Sequence, residues 1–276
     1  MTTTEQRPAT TTNAVDAAFV RRRAEGGLAF MPYLTAGHPD RDASFAVGEI
    51  YAAHGADLIE MGIPFSDPMG DGPTVQRSSA AALAGGMTVT RALTLASDLT
   101  AKTNIPLVVM GYYNPLMSYG AERFCVDAAK VGIGALIIPD MPLEEADDLE
   151  TACRANNMHL AYLLAPTSTD ERVDAVARRA SGFIYCVAVT GVTGARAEVS
   201  NDLAPFLGRV RARTSLPLVV GFGISKPAHI AALHGLADGV VVGSALIDLI
   251  DKTPPAERAG VVGAYIERMA TACSAS

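Results

Sequence analysis

Short runs of apolar residues recur along the chain, and longer stretches with a helical spacing of apolar positions separate them. Eight runs follow one another, at 28–34, 57–61, 106–110, 135–138, 159–163, 183–187, 217–220 and 239–242. Their apolar residues are nearly continuous rather than alternating, which is typical of parallel strands that are buried on both faces. The pattern therefore predicts eight buried parallel strands.

Amphipathic helices are predicted between these runs. In the segment 42–54, for example, Phe45, Val47, Ile50 and Tyr51 fall near one helical face. An additional helix over 14–25 precedes the first strand, and Asn13 is its expected N-cap. The other predicted helices span 89–103, 122–131, 143–156, 170–180, 202–214, 227–234 and 261–272.

Eight strand–helix units without a break in composition favour a single closed barrel of the α/β class. We predict a (β/α)8 TIM barrel with an extra N-terminal helix and a short helix after the eighth strand. The 276 residues suit this fold, which typically takes about 250. The alternative is an open doubly wound sheet, which is disfavoured because no G-x-G-x-x-G follows the first strand.

The ends of the chain and its composition limit the remaining possibilities. Residues 1–12 are Thr-rich without apolar periodicity, so we expect a disordered tail before a barrel domain over 13–276. Hydrophobic residues make up 49% of the chain, and the net charge of −7 argues against nucleic acid or an anionic membrane as the main partner.

The four cysteines are widely spaced and form no C-x-x-C pair, which predicts neither a zinc knuckle nor a disulfide framework. The N-terminal segment lacks the apolar core of a signal peptide, and no membrane span is predicted. We therefore expect a cytoplasmic protein with reduced thiols.

The densest group of candidate catalytic residues follows the second predicted strand. Glu60 ends that strand, and Asp67 and Asp71 lie in the Gly- and Pro-rich loop after it. Parallel barrels place their catalytic groups at the C-terminal ends of strands, and an acid at an apolar strand end has a shifted pKa. The alternative is that Glu60 is a structural acid with a buried partner and that the two aspartates are turn formers.

Two glycine-containing segments near the C-terminus predict a phosphate site. Gly221-Phe222-Gly223 follows the seventh strand, while Gly243-Ser244 follows the eighth and opens the apolar run 245–250. Barrels often bind phosphate there, because glycine lets main-chain N–H groups approach the oxygens and the helix end adds partial positive charge. The alternative is a pair of tight turns with Ser244 as an ordinary N-cap.

A polar loop over 190–198 contains two glycines and is a candidate lid, in which Thr193 orients a catalytic carboxylate and Gly194 approaches phosphate. The alternative is an ordinary connector. Aromatic residues near strand ends predict a slot for a flat ligand. These residues are Tyr33, Tyr112, Tyr113, Tyr185 and Phe222.

Several common chemistries lack the residues that they need. No lysine lies at the C-terminal end of a predicted strand, which disfavours a Schiff-base aldolase. No H-x-x-x-H pair suggests a catalytic metal, and no G-x-S-x-G elbow is present. The remaining chemistry is acid–base catalysis by carboxylates on a phosphorylated substrate.

The acidic segment 60–76, which begins Glu60-Met-Gly-Ile-Pro-Phe-Ser-Asp-Pro, resembles the signature of the tryptophan synthase alpha chain family. The likeness covers nearly the whole chain from about residue 14 and extends to 32–39, 111–115, 191–194, 221–225 and 243–244. It implies a lyase that cleaves indole-3-glycerol phosphate into indole and glyceraldehyde 3-phosphate. The reaction would belong to the last steps of tryptophan biosynthesis.

The resemblance also implies a role for each candidate residue. Glu60 would protonate the indole ring with a raised pKa, whereas Asp71, in a more polar loop, would stay ionised and stabilise positive charge at the indole nitrogen. Thr193 would hydrogen-bond Asp71 when the lid closes. Four residues would hold the phosphate, namely Gly194, Gly223, Gly243 and Ser244. The indole pocket would be bordered by Tyr33, Tyr112, Tyr185 and Phe222.

A partner is implied in the same way. The alpha chain would need no cofactor and would join a beta chain, which uses pyridoxal phosphate, in an α2β2 assembly. The expected contact residues are Asp67, Pro68, Met69 and Asn114. Many relatives have Leu-Ala where this chain has Met69-Gly70, which puts loop dynamics and partner affinity in question.

Two other functions are compatible with the residues alone. One is a different phosphate-binding barrel enzyme, an isomerase or a synthase. The other is a non-catalytic barrel that switches a partner enzyme through lid closure.

Overall fold

A computed structural model describes residues 12–187, 202–221 and 223–275. Its eight parallel strands form a closed barrel in which each strand pairs with the next and the last pairs with the first. The strands are β1 (Ala29–Thr35), β2 (Ile59–Gly62), β3 (Leu107–Met110), β4 (Ile133–Ile137), β5 (His159–Leu164), β6 (Ile184–Val187), β7 (Leu218–Gly221) and β8 (Gly239–Val242). Every predicted run overlaps one of these strands, so the predicted barrel is confirmed and the open sheet is wrong.

Twelve α-helices lie in the described residues, most of them between strands around the barrel. They are α1 (Ala14–Ala24), α2 (Arg41–Ala53), α3 (Pro73–Ala84), α4 (Val89–Thr103), α5 (Tyr113–Tyr119), α6 (Ala121–Lys130), α7 (Asp147–Ala155), α8 (Asp170–Arg179), α9 (Leu203–Arg211), α10 (Pro227–Ala231), α11 (Ser244–Lys252) and α12 (Arg258–Cys273).

The sequence pattern missed two of these helices and misjudged a third. Helix α3 buries only Ser78, Ser79 and Ala82, so it has no stripe of large apolar residues to reveal it. Helix α5 has Pro115 in its first turn, where the missing N–H is tolerated. The single helix predicted over 143–156 is divided into a 3-10 turn, Leu143–Glu145, and α7.

The core has two layers, because the strands bury both faces. Alternate residues point outward against the helices, as Phe30 and Leu34 do on β1. The residues between them fill the barrel interior. The interior set from the strands and their flanks is Ala29, Met31, Tyr33, Leu58, Val108, Ala135, Ile137, Ala161, Phe183, Tyr185, Val219 and Val241. This double burial explains why the strands are continuously apolar.

Helix α1 closes the N-terminal end of the barrel. Val15, Ala18 and Phe19 join the interior layer, and a Cβ at Gly134 would lie 2.7 Å from Val15 Cγ2. Asn13 caps the helix, since its side chain accepts from the Val15 and Asp16 N–H groups. The predicted cap is therefore confirmed. With this end filled, the opposite end, where the strands have their C-termini, is the one that ligands can enter.

The described residues contain no helix that is long and apolar enough to cross a membrane. Cys125, Cys153, Cys186 and Cys273 are buried free thiols. In the same ranges, no three His, Cys, Asp or Glu side chains gather as a metal site would require. The tail expected over residues 1–12 and the domain boundary stay predictions, because residues 1–11 and 276 lie outside the described ranges.

We expect Asn13→Ala to destabilise the fold more than an ordinary cap loss, which costs about 1 kcal/mol. The Asn13 amide also donates to the Gly134 carbonyl (2.9 Å) and the Asn157 carbonyl (3.0 Å) and so ties α1 to the barrel. Urea unfolding gives the free energy. Asp40→Ala is the matched control, because Asp40 caps α2 through the Ala43 N–H. Equal losses in the two variants would contradict this account.

Candidate active site

Glu60 lies on β2 with its side chain in the barrel interior. The strand register pairs it with Tyr33 on one side and Val108 on the other, and both of these residues belong to the interior layer. Glu60 is 1% exposed, and no hydrogen-bond partner of its Oε2 atom is present among the described residues. Burial, reinforced by the charge of Asp71, raises the pKa of Glu60 to about 8.

Asp71 reaches the same interior from the loop between β2 and α3. Its N–H donates to the Pro68 carbonyl (3.0 Å), and the Gln76 side chain donates to the Asp71 carbonyl (2.9 Å). These bonds fold the loop back toward the barrel mouth and leave Asp71 7% exposed. The setting is thus more buried than the polar loop that the sequence suggested.

The environments of Asp71 and Glu60 give the two acids different pKa values. Burial raises the pKa of Asp71 to about 6, and a hydrogen bond with the Tyr112 phenol limits the rise. Asp71 therefore ionises first, and its negative charge helps to keep the proton on Glu60. Near neutral pH the pair contains one carboxylate and one carboxylic acid, which is the combination that acid–base catalysis requires.

Tyr112 contributes more than the pocket wall that the sequence predicted. Its phenol oxygen accepts from the Gly70 N–H (2.9 Å) and hydrogen-bonds with the Asp71 carboxyl. Its ring also packs against Phe65, with 5.2 Å between the centroids. Tyr112 therefore fixes the acidic loop at three points. Residue spacing carries no signal for these contacts, because they join loops that follow different strands.

Tyr33 and Tyr185 line the interior beside the two acids, and each depends on a glycine of the next strand. A Cβ at Gly62 would lie 2.0 Å from the Tyr33 hydroxyl, and a Cβ at Gly221 would lie 2.1 Å from the Tyr185 hydroxyl. A side chain at either glycine would displace the phenol. Burial raises the pKa of the Tyr185 phenol, and the nearby charges of Glu60 and Asp71 raise it further, so Tyr185 lies near the acids.

The predicted phosphate segments lie at the same end of the barrel. Gly243 occupies the N-cap position of α11, and Ser244 is the first helical residue, so Ser244 as the N-cap is wrong. Among the described residues no side chain caps α11, which leaves N–H groups of its first turn for a ligand. A Cβ at Gly243 would lie 3.6 Å from Tyr33 Cβ, which places this helix end beside the indole-pocket candidate. Gly223 adopts φ +81°, a conformation that favours glycine.

Three predicted site residues lie outside the described residues. They are Thr193 and Gly194 of the candidate lid, together with Phe222. The proposed contact residues are described and lie at the outer edge of the site. Asp67, Met69 and Asn114 are exposed and Pro68 is partly buried. Met69 is 91% exposed and is thus accessible to a partner.

Comparison with known proteins identifies close relatives. The family model described as "Tryptophan synthase alpha chain" matches residues 19–273. The tryptophan synthase alpha chain of Roseiflexus sp. (strain RS-1) is 51% identical over 240 residues, which cover 87% of this chain and 92% of the relative. That of Chloroflexus aggregans (strain MD-66 / DSM 9485) is 46% identical over 261 residues, covering 94% and 98%.

Solved structures agree with the sequence relatives. A structure of Mycobacterium tuberculosis tryptophan synthase superposes with a TM-score of 0.89 at 34% identity, covering 96% of this chain and 100% of that chain. A structure of tryptophan synthase subunit alpha from Legionella pneumophila str. Paris gives a TM-score of 0.87 at 32% identity, covering 95% and 99%.

We expect Glu60→Gln to stabilise the fold increasingly as the pH rises. Because the pKa of Glu60 rises from 4.5 to about 8 on folding, the folded chain retains a proton that the unfolded chain loses between these pH values. The wild-type chain therefore loses stability across this window, and the Gln variant does not suffer this loss. Chemical unfolding between pH 5 and pH 9 measures the difference. A difference that stays constant with pH would contradict the raised pKa.

Proposed function

The chain belongs to the tryptophan synthase alpha chain family, and from this membership we propose that Glu60 and Asp71 are its two catalytic carboxylates. Members of the family cleave indole-3-glycerol phosphate in tryptophan biosynthesis, so the chain is a lyase. The observation that carries the assignment is the buried acid pair, in which Glu60 has a pKa of about 8 and Asp71 a pKa of about 6. Family membership favours this reaction over the isomerase and the synthase considered from sequence.

The reaction breaks the bond between indole C3 and a carbon that carries a hydroxyl group. Glu60 donates its proton to C3, which converts the ring into an iminium-like electron acceptor. The bond electrons then return to the ring as the bond breaks, and the Glu60 carboxylate takes the hydroxyl proton as the aldehyde of glyceraldehyde 3-phosphate forms. Glu60 thus ends in its starting protonation state, and a pKa near neutrality suits both steps.

Asp71 has a complementary role. Protonation of C3 places positive charge on the indole nitrogen, and an ionised carboxylate beside the nitrogen stabilises that charge in a site that excludes water. The Tyr112 phenol supports this role because it keeps the Asp71 carboxyl in the barrel mouth. We further propose that Thr193 hydrogen-bonds Asp71 in the closed state, as the family resemblance implies.

The remaining assignments concern binding. We propose that Tyr33, Tyr112, Tyr185 and Phe222 border the indole ring. The phosphate would be held by main-chain N–H groups and a hydroxyl, contributed by Gly194, Gly223, Gly243 and Ser244. The uncapped N-terminus of α11 beside Tyr33 supports this arrangement, because it lies on the same side of the barrel mouth as one wall of the indole pocket.

Family membership implies a beta-chain partner. We propose an α2β2 assembly in which this chain needs no cofactor and the beta chain carries pyridoxal phosphate. The contact surface would include Asp67, Pro68, Met69 and Asn114. The exposed Met69 lies in the same loop as Asp71, so partner binding and catalysis would share one loop. A cytoplasmic location belongs to the same proposal.

Replacement of Glu60 by Gln should lower indole release at least 100-fold, because the loss of a general acid–base group costs about 10²–10⁴ in rate. Gln preserves the size of the side chain and removes only the titrating proton. Indole formed from indole-3-glycerol phosphate is measured colorimetrically. Glu49→Gln on α2 is the control and should leave the rate unchanged. Near-normal turnover in the Glu60 variant would refute the assignment.

The kcat/KM of the isolated chain should be bell-shaped with pH. Activity should fall below about pH 6 as Asp71 is protonated and above about pH 8 as Glu60 is ionised. In Asp71→Asn the residual activity should lose its acidic limb, and its alkaline limb should move to lower pH, because the charge that raises the pKa of Glu60 is gone. An alkaline limb that stays in place would show that Asp71 does not control the Glu60 proton.

A further inference from the structure

Helix α3 begins two residues after Asp71 and has little apolar anchoring of its own. Its buried residues are Ser78, Ser79 and Ala82, whereas α11 buries Leu246, Ile247 and Ile250. Burial of large apolar side chains is the main source of positional stability for a surface helix. Helix α11 is therefore held by large apolar side chains, whereas α3 contacts the core through Ala82 and the partly buried Val75 and depends more on polar contacts.

Polar contacts join α3 to both β1 and α11. The buried Ser78 hydroxyl lies 2.7 Å from the Thr35 hydroxyl of β1, whereas the contacts with α11 come mainly from Arg77. The Arg77 Nη2 atom lies 2.8 Å from Asp248 Oδ1 and 3.0 Å from Asp251 Oδ2, and Nε lies 3.3 Å from the same Asp251 oxygen. One guanidinium thus engages two carboxylates that lie almost one turn apart on α11. The Thr74 hydroxyl adds a weaker hydrogen bond to Asp248 at 3.4 Å.

A third segment joins this cluster. The other oxygen of Asp251 lies 2.7 Å from Nε2 of His38, in the loop after β1. The His38 side chain is 7% exposed, so the contact is shielded from solvent. Asp251 is therefore fixed from two sides, and the position that it offers to Arg77 is well defined.

The residue before Arg77 on α3, Gln76, connects this cluster to the loop that carries Asp71. The Gln76 side chain donates to the Asp71 carbonyl at 2.9 Å and to the Pro68 carbonyl at 3.4 Å. A continuous set of contacts thus runs from α11 through Arg77 and Gln76 to the main chain of Asp71. The set starts at Asp248 and Asp251 of α11, and the N-terminus of the same helix, at Gly243 and Ser244, is the proposed phosphate cradle.

We propose that Arg77, paired with Asp248 and Asp251, is a positioning residue that sets the distance between the phosphate cradle and the Asp71 carboxylate. The inference rests on the proposed function, in which one substrate is bound at its phosphate and reacts at its ring. Such a substrate tolerates little variation in this distance, because a displacement of about 1 Å can cost ~10²-fold in rate. The cluster is separate from the reacting groups and acts through Gln76 and the loop.

A positioning role and a merely structural role predict different results. Exposed ion pairs typically contribute little to stability, and the Arg77 side chain is 51% exposed. Loss of Arg77 should therefore change the melting temperature little. Since apolar burial retains α11, phosphate affinity should also persist while α3 and the Asp71 loop move.

The test compares Arg77→Met, Arg77→Lys and a matched control in the intact chain. Arg41→Met is the control, because Arg41 is 47% exposed and pairs with Asp98 of α4 rather than with the carboxylates of α11. We expect Arg77→Met to lower kcat for indole-3-glycerol phosphate cleavage by about fivefold or more. The KM and the dissociation constant of glycerol 3-phosphate, a probe of the cradle alone, should stay within about twofold.

The other variants complete the design. Arg77→Lys should recover part of kcat, because an ammonium pairs with one carboxylate but does not reproduce the planar fork that engages two. Arg41→Met should retain wild-type kcat, with a change in melting temperature similar to that of Arg77→Met. Wild-type kcat in Arg77→Met, or a loss of kcat matched by an equal loss of glycerol 3-phosphate binding, would overturn the positioning role. Failure of the wild-type chain to release indole would instead overturn the proposed function.

Discussion

The site depends on the burial of two carboxyl groups side by side in the mouth of an apolar barrel. In water both groups would be ionised above about pH 5, and they would then be equivalent in function. The barrel removes the water and places one negative charge next to the other acid, so that a single proton remains on Glu60. This arrangement costs folding free energy that grows as the pH rises from about 4.5 to about 8, and the large double-layered core makes that cost tolerable.

The two acids are positioned by different means, which suits their different roles. Glu60 belongs to a strand, and its direction is set by the register with β1 and β3. Asp71 belongs to a loop whose shape depends on Tyr112, Gln76 and a turn closed at Pro68. Glu60, the proposed proton donor, is thus held by the strand pairing of the sheet, whereas Asp71, the proposed charge-stabilising carboxylate, is held by the contacts of a loop.

The sequence predicted the barrel well because its strands face apolar surroundings on both sides, which leaves an unmistakable pattern. It also singled out Glu60 and Asp71, because an acid at the end of an apolar strand is costly; the structure buries both residues, and their catalytic roles stay a proposal. It did not predict α3, whose buried face is made of serine and alanine, nor the contact of Tyr112 with Asp71. Neither Gly62 nor Gly221 was explained, because the reason for each is a tyrosine hydroxyl on a neighbouring strand. Contacts between distant segments have no signature in local periodicity.

Helices α3 and α11, which carry or border the two ends of the proposed site, are anchored in different ways. A helix anchored by large apolar side chains has one well-packed position, because a displaced core leaves voids. A helix anchored by Arg77, Thr74 and small side chains can shift at a lower energetic cost, since ionic contacts at the surface lengthen gradually and water can replace them. The proposed phosphate cradle lies on the first kind of helix, and the Asp71 loop precedes the second kind. One end of the proposed site is thus held by the core, and the other depends on the contacts of Arg77, Gln76 and Tyr112 to keep the Asp71 carboxylate at the distance that a single substrate requires.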